Sequence, residues 1–407
     1  MPSILLAFFL LIPTAFGRSA RTQADPIQVV NARVQYQFGQ EIRFGATLLS
    51  GDPVRQAYLL FQPEGDETQV GQMLLSPDGQ VTYRFNAQQQ SIRPFSRIYY
   101  WFRITTPSDK EYTSPSFWFD YADNRFQWQS LSDPSFRVHW YKGSIDFGQM
   151  AQNIAQTSLE GVRKWMPLSN TAPFDIYIYA SNADLQSALE IGGLSWVGGH
   201  ASPDLGVVMV SEEPGPQQAI NLERQIPHEL THILMYRSNP IGYAKLPTWL
   251  IEGLASLAEL YPNSDYQRAL DTAKVDQSLL PLDTLCGAFP QETTPAITAY
   301  AESASFTRYI EDRFGIPGLQ TLMAQYQSGI SCTEAVRIAF GIPFTQLETE
   351  WQQEALGMPV TTAAVSQQFI PYLLLMGIVL VMPVIAGGTW YRRKRQHEHR
   401  TKENAGP

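Results

Sequence analysis

The sequence predicts a multi-domain chain: an N-terminal β-sandwich over residues 26–122, an α+β domain over 124–357, and a single C-terminal transmembrane helix over 369–391. Three observations carry this. Short β-branched and aromatic segments separated by turn residues fill the first hundred or so positions. Strands then alternate with helical spacings and give way to helix-rich sequence from about Pro216. Finally, residues 369–391 run without a charge into Arg392-Arg393-Lys394-Arg395.

Within the first region, IQVVNARVQYQF, EIRFGATLL, AYLLFQP, QVGQMLLS, QVTYRFNA, RIYYWFRITT and SPSFWFDY read as seven strands. Ser50-Gly51-Asp52-Pro53, Glu64-Gly65-Asp66, Pro77-Asp78-Gly79 and Pro107-Ser108-Asp109 supply the turns between them. Strands of this length and spacing, with no helical period, predict a sandwich of immunoglobulin or fibronectin type III kind. Tyr99, Trp101 and Phe102 are read as core and sheet surface, the usual fate of such clusters.

After Asp123 the pattern changes. Phe136 opens a strand, residues 148–165 have helical spacing, and Phe174 and Leu205 begin two further strands with a helical stretch at 183–189 between them. Strands followed by helices indicate an α+β unit with a sheet lobe leading into a helical lobe.

The two ends read as membrane-directed. Residues 4–16 are an apolar run too short to span a bilayer but suited to a secretory leader, and Ala15 and Gly17 stand as small residues for cleavage after Gly17. Residues 1–17 are therefore expected to be a signal peptide, although Met1-Pro2-Ser3 lacks the usual cation; an uncleaved anchor is the alternative. Residues 369–391 are long enough to cross a hydrocarbon core of about 30 Å. Tyr372, Trp390 and Tyr391 sit where an aromatic belt would, and a basic cytoplasmic tail follows at 392–407. A polar linker over 358–368 completes this expectation of an extracytoplasmic ectodomain on one C-terminal helix. The absence of any Asn-x-Ser/Thr sequon leans toward a bacterial cell surface.

Composition excludes several classes. The 29 Lys+Arg against 38 Asp+Glu give a net charge of −9, which argues against general nucleic-acid binding. The tail holds Arg392, Arg393, Lys394, Arg395, Arg400 and Lys402 against only Glu398 and Glu403, so the rest is more acidic still. Two cysteines rule out a disulfide framework and a multi-cysteine metal site.

The chemistry concentrates at His228-Glu229-Leu230-Thr231-His232, an H-E-x-x-H pattern. On a helix, residues four apart project from one face one turn apart, so two neutral imidazoles can share one zinc ion. Glu229 lies within reach of a water at that ion. Pro227 precedes His228 directly; it fits either the first helical position or a bent helix interior. Thr248 is placed to cap a second helix, Trp249-Leu250-Ile251-Glu252-Gly253-Leu254-Ala255-Ser256-Leu257-Ala258-Glu259, and nineteen residues separate its Glu252 from His232.

HELTH followed by WLIEGLA resembles the gluzincin metallopeptidases, in the peptidase MA-like branch related to the membrane alanyl aminopeptidases. The resemblance implies a zincin-type fold for the α+β domain. It makes Glu252 the third zinc ligand beside His228 and His232, leaving an open position for water. Glu259, two helical turns past Glu252, would orient a ligand imidazole through its other ring nitrogen. The thermolysin branch places its acid four residues after the ligand, and here that position is Ser256. Tyr300, in Tyr300-Ala-Glu-Ser-Ala-Ser-Phe-Thr-Arg-Tyr-Ile, is similar to the family's oxyanion-stabilising tyrosine. Tyr309 on the same helix is the fallback.

One departure bears on specificity. Aminopeptidases of this group carry Gly-x-Met-Glu-Asn on an edge strand, and its Glu holds the substrate's amino terminus. The corresponding Gly198-Gly199-His200-Ala201 through Val207-Val208-Met209-Val210 has no such pair, so aminopeptidase specificity is not supported. His200 is assigned no role. Cys286 and Cys332 either form one disulfide within the helical lobe or remain two buried thiols.

The sequence thus predicts a membrane-anchored zinc metallopeptidase acting on a peptide or protein substrate. Zinc would be held by His228, His232 and Glu252, with Glu229 as general base. The rival is a surface binding or adhesion protein whose peptidase-like lobe is an inactive scaffold.

Overall fold

The structure, a computed structural model, describes residues 27–166, 168, 172–191, 199–359 and 375. The chain divides into two compact units. One runs to Tyr243 and takes back Ala258–Pro262; the other comprises Ala244–Leu257 and the chain from Asn263 onward.

The first unit opens with nine strands: β1 (Ile27–Gln37), β2 (Glu41–Ser50), β3 (Gln56–Pro63), β4 (Gln69–Gln72), β5 (Leu74–Leu75), β6 (Gln80–Asn86), β7 (Arg97–Thr105), β8 (Glu111–Thr113) and β9 (Phe117–Asp120). They form two antiparallel sheets, β1-β2-β6-β5 and β4-β3-β7-β8, with β9 also paired to β7. Alternation decides which face is buried: in β3, Ala57, Leu59 and Phe61 point inward while the residues between them are partly exposed. Phe44 of one sheet meets Phe61 of the other with ring centroids 5.4 Å apart. The expected strand QVGQMLLS is two strands, because the chain changes sheets at buried Met73, whose N–H donates to Ala57 O at 2.9 Å.

The same unit continues with β10 (Gln129–Ser132), β11 (Phe136–Trp140), α1 (Ile145–Arg163), β12 (Phe174–Tyr179), α2 (Asn182–Ile191), β13 (Gly199–Ser202) and β14 (Val207–Ser211). The sheet order is β10-β11-β12-β14-β13, with parallel pairing in the middle and antiparallel strands at both edges. Val207, Val208, Met209 and Val210 are all buried, the continuous apolar run expected of a strand covered on both faces. Tyr179, Leu185, Leu189, Val207 and Met209 belong to the same hydrophobic cluster as the inward faces of β2, β3, β6 and β7. A bidentate pair from Arg93 to Asp204, at 2.7 and 2.8 Å, and a Phe95–Tyr177 stack at 3.8 Å join the two sheet systems further. Helices α3 (Gln218–Ser238) and α4 (Pro240–Tyr243) complete this unit.

The second unit is helical: α5 (Thr248–Leu257), α6 (Ser264–Asp276), a 3-10 turn at Thr284–Cys286, α7 (Thr293–Gln327), α8 (Cys332–Phe340) and α9 (Phe344–Glu354). Trp249, Phe306, Phe344 and Trp351 form its aromatic centre, with Trp249 and Phe306 rings 5.0 Å apart. Burying each such side chain contributes about 1.5–3 kcal/mol. Gly315, at φ 68° and ψ 179°, kinks α7 in a conformation open essentially to glycine alone. Cys286 and Cys332 are disulfide-bonded, which decides between the two alternatives left open by the sequence.

The membrane-anchored architecture is corrected. Among the described residues no helix is long and apolar enough to cross a membrane. The long helices are charged: Asp146, Glu160 and Arg163 in α1; Glu223, Arg224 and Arg237 in α3; Arg308, Glu311, Asp312 and Arg313 in α7. The expected transmembrane helix at 369–391 lies outside the described residues except for Leu375, as do the signal peptide at 1–17 and the tail at 392–407. The single-pass topology, the membrane as a partner and the cell-surface location all depended on that helix, and no helix among the described residues supports them.

Candidate metal centre

α3 is held beneath the sheet by its own side chains. Gln225 accepts from Ser211 N–H and donates to Ser211 O, at 3.3 and 3.2 Å, fixing the helix to the end of β14. Leu222, Ile226, Leu230, Ile233 and Leu234 are buried, an apolar stripe at helical spacing. Pro227 falls in the helix interior, not in its first turn. Thr231 Oγ1 donates to Pro227 O at 2.8 Å.

His228 and His232 project from this helix with ring centroids 5.3 Å apart and planes at 67°. Glu252 lies in α5. One ligand atom from each of His228, His232 and Glu252 falls within 4.8 Å of the other two. Two imidazoles plus a carboxylate are a donor set that suits zinc. The three side chains therefore fit a metal of that kind.

Nδ1 of each imidazole has a polar neighbour. Glu259 Oε1 stands 3.2 Å from His228 Nδ1, and both side chains are largely buried. The sequence places Glu259 on the same helix as Glu252, whereas α5 ends at Leu257 and Glu259 reaches His228 from the segment beyond. The Tyr243 hydroxyl lies 3.4 Å from His232 Nδ1. Contacts of this kind at a ring nitrogen fix the orientation of an imidazole.

Glu229 is buried beside edge strand β13. A β-carbon on Gly199 would stand 2.6 Å from Glu229 Oε1, so the strand's backbone runs directly against this carboxylate. The next residue, His200, is largely buried, and that burial pushes its imidazole down to about 4, keeping it neutral. Its Nε2 is 3.4 Å from Ser202 Oγ.

Tyr300 lies on α7, half-buried, with its ring edge-to-face against Phe289 at 5.1 Å. Tyr309, the fallback, donates to Glu354 Oε2 at 2.8 Å and so ties α7 to α9. Sequence reasoning did not find Tyr243 or the contact at Gly199. The Gly198-Gly199 pair is the one signal for the latter; Tyr243 meets His232 only because Pro240 starts a short helix that folds back.

A sequence profile described as the peptidase MA superfamily matches residues 154–357. No curated protein matches the chain. Solved structures similar to parts of it include a carbohydrate-binding module family 56 β-1,3-glucan binding domain, at 11% identity and TM-score 0.17, covering 23% of this chain and 96% of that one. Another is a cycloalternan-degrading enzyme from Trueperella pyogenes, at 19% identity and TM-score 0.17, covering 26% of this chain and 13% of that one. A third is a GH family 64 laminaripentaose-producing β-1,3-glucanase from Paenibacillus barengoltzii, at 11% identity and TM-score 0.18, covering 29% and 28%. At these TM-scores they bear on neither fold nor function.

Proposed function

Because the chain belongs to the peptidase MA superfamily, we propose that it is a zinc metallopeptidase whose centre is His228, His232 and Glu252, with Glu229 as general base. The convergence of those three ligand side chains, with Glu229 on the helix of the two histidines, is the observation that carries the reading.

Zinc bound there would supply Lewis acidity, polarising the scissile carbonyl and acidifying the attacking water. Glu229 takes the proton from that water and delivers it to the leaving amine. Its burial against Gly199 limits the positions the carboxylate can adopt, so it is oriented before substrate arrives. Glu259 and Tyr243 hold the two imidazoles at Nδ1, which fixes ring orientation. Tyr300 is assigned to the developing oxyanion, as the family resemblance implies.

The substrate is a peptide or protein. β13 reads Gly-His-Ala-Ser and offers no acidic residue to hold a free amino terminus, which supports internal cleavage or a narrow processing activity over aminopeptidase action.

Digestion of a peptide library with and without chelator tests the assignment. Cleavage that chelator abolishes and zinc restores is expected. A library left intact by zinc-loaded protein, or cut equally in chelator, contradicts it.

A further inference from the structure

Pro227 is an expensive residue in a helix interior: it costs roughly 3 kcal/mol relative to alanine and offers no N–H to the carbonyl four residues earlier. That carbonyl belongs to Glu223, and it is satisfied from outside the helix. The Leu260 backbone N–H donates to Glu223 O at 2.9 Å.

The neighbouring residue holds the same segment. Arg224 Nη2 donates to Pro262 O at 2.7 Å, and its guanidinium carbon lies 5.2 Å from the Tyr261 ring centroid. Residues 260–262 are thus strapped across the turn of α3 that precedes His228. Glu259 is the next residue back, and its Oε1 is the atom 3.2 Å from His228 Nδ1. The segment Ala258–Pro262 accordingly belongs to the same compact unit as α3, although the helix before it does not.

We propose that Pro227 and Arg224 are positioning residues for the metal centre: Pro227 gives the Glu223 carbonyl to Leu260, Arg224 grips Tyr261 and Pro262, and the strap so formed sets the Glu259 carboxylate on His228. Pro227 contacts no reacting atom in this account; it acts through Glu223, Leu260 and Glu259. The chemistry predicts an unusual mutational signature. Alanine at 227 restores the helical N–H, which competes with Leu260 for the Glu223 carbonyl and turns that carbonyl back along the helix axis. The helix gains stability while the strap loses its anchor.

The inference rests on the reading of His228 as a zinc ligand, and its test separates the two. Zinc affinity is measured by chelator competition, and the visible spectrum of the cobalt-substituted protein is recorded, for wild type, Pro227→Ala, Arg224→Met and Glu259→Ala, and for the double variants Pro227→Ala/Glu259→Ala and Arg224→Met/Glu259→Ala. Thermal melts accompany each. The expectation is that Glu259→Ala weakens zinc binding about 10- to 100-fold. Pro227→Ala and Arg224→Met approach the same loss and shift the cobalt bands in the same direction. In the Glu259→Ala background neither adds to it, and Pro227→Ala melts no lower than wild type. Unchanged affinity in both single variants, or losses that add fully to that of Glu259→Ala, overturns the positioning role while leaving the metal centre intact. Wild-type protein that binds no zinc overturns the metal reading itself, and the proposal with it. Arg224→Met reaches the same strap from the other side, so the result does not depend on Pro227→Ala folding.

Discussion

Gly199 and Glu229 are in backbone-to-carboxylate contact: a β-carbon at the glycine would lie 2.6 Å from Oε1, 3.1 Å from the carboxyl carbon and 3.2 Å from Cγ of the glutamate. An edge strand and the residue assigned to proton transfer therefore occupy adjoining space with no room for a side chain between them. Gly199→Ala is expected to displace the carboxylate, not the strand, because the colliding atoms end a flexible side chain. The predicted outcome is a fall in kcat of tenfold or more with unchanged zinc content. Wild-type kcat in this variant would show that the Glu229 position is not constrained from this side.

Gly253, next to Glu252, meets a harder obstacle. A β-carbon there would fall 2.0 Å from Thr307 Oγ1 and 2.6 Å from the Ser303 backbone oxygen, so α5 and α7 would have to separate. Overpacking of this kind costs about 1–3 kcal/mol. Gly253→Ala should lower the midpoint of denaturant unfolding and weaken zinc binding. Thr307→Ala should not rescue it, since the Ser303 carbonyl remains. Unfolding of Gly253→Ala at the wild-type midpoint would contradict the packing account.

The parts of this centre differ in how plainly the sequence announces them. His228 and His232 share a face because the spacing is local and the helix enforces it, and the strands of the N-terminal sheets follow from alternation within each segment. Glu259 is different: its spacing reads as two helical turns, yet α5 stops at Leu257, and the residue reaches His228 because the Leu260 N–H finds Glu223 O. β13 carries no alternating apolar pattern in Gly-His-Ala-Ser, and only its pairing with β14 makes it a strand. Likewise β4 and β5 look like one segment until Met73 is seen to pass from one sheet to the other. Local periodicity was legible; pairings set by tertiary hydrogen bonds were not. The expectation of an anchored chain rested on residues 369–391, all but Leu375 outside the described residues, and no helix among the described residues supports it.

Glu302 gives the helical unit a pH dependence. It is fully buried, its Oε1 accepts the Leu280 N–H at 2.8 Å, and burial pushes its carboxyl up to about 8. The folded protein thus keeps a proton that the unfolded chain, with an ordinary value of 4.5, releases. The contribution is fully present below that ordinary value and is lost as pH rises through the folded one. Melting temperature should therefore decline from pH 5 to pH 8, and Glu302→Gln, which keeps an acceptor oxygen for Leu280, should flatten the decline. Parallel curves for the two proteins would rule out Glu302 as its source.

The Cys286–Cys332 disulfide closes a loop of sequence separation 46 within the helical unit. Constraint of the unfolded chain by a loop of that size contributes about 4 kcal/mol. Replacing both cysteines by serine should lower the unfolding free energy by roughly that amount. A double variant as stable as wild type would place the stability of this unit elsewhere.

Zinc content and peptide hydrolysis, measured side by side on wild type and Glu229→Gln, test the central claim most directly. Both proteins are predicted to hold one zinc ion per chain, since Glu229 is not a ligand, and only wild type is predicted to cleave peptide. A wild-type protein that holds no zinc, or a Glu229→Gln protein that cleaves as fast as wild type, would contradict the account.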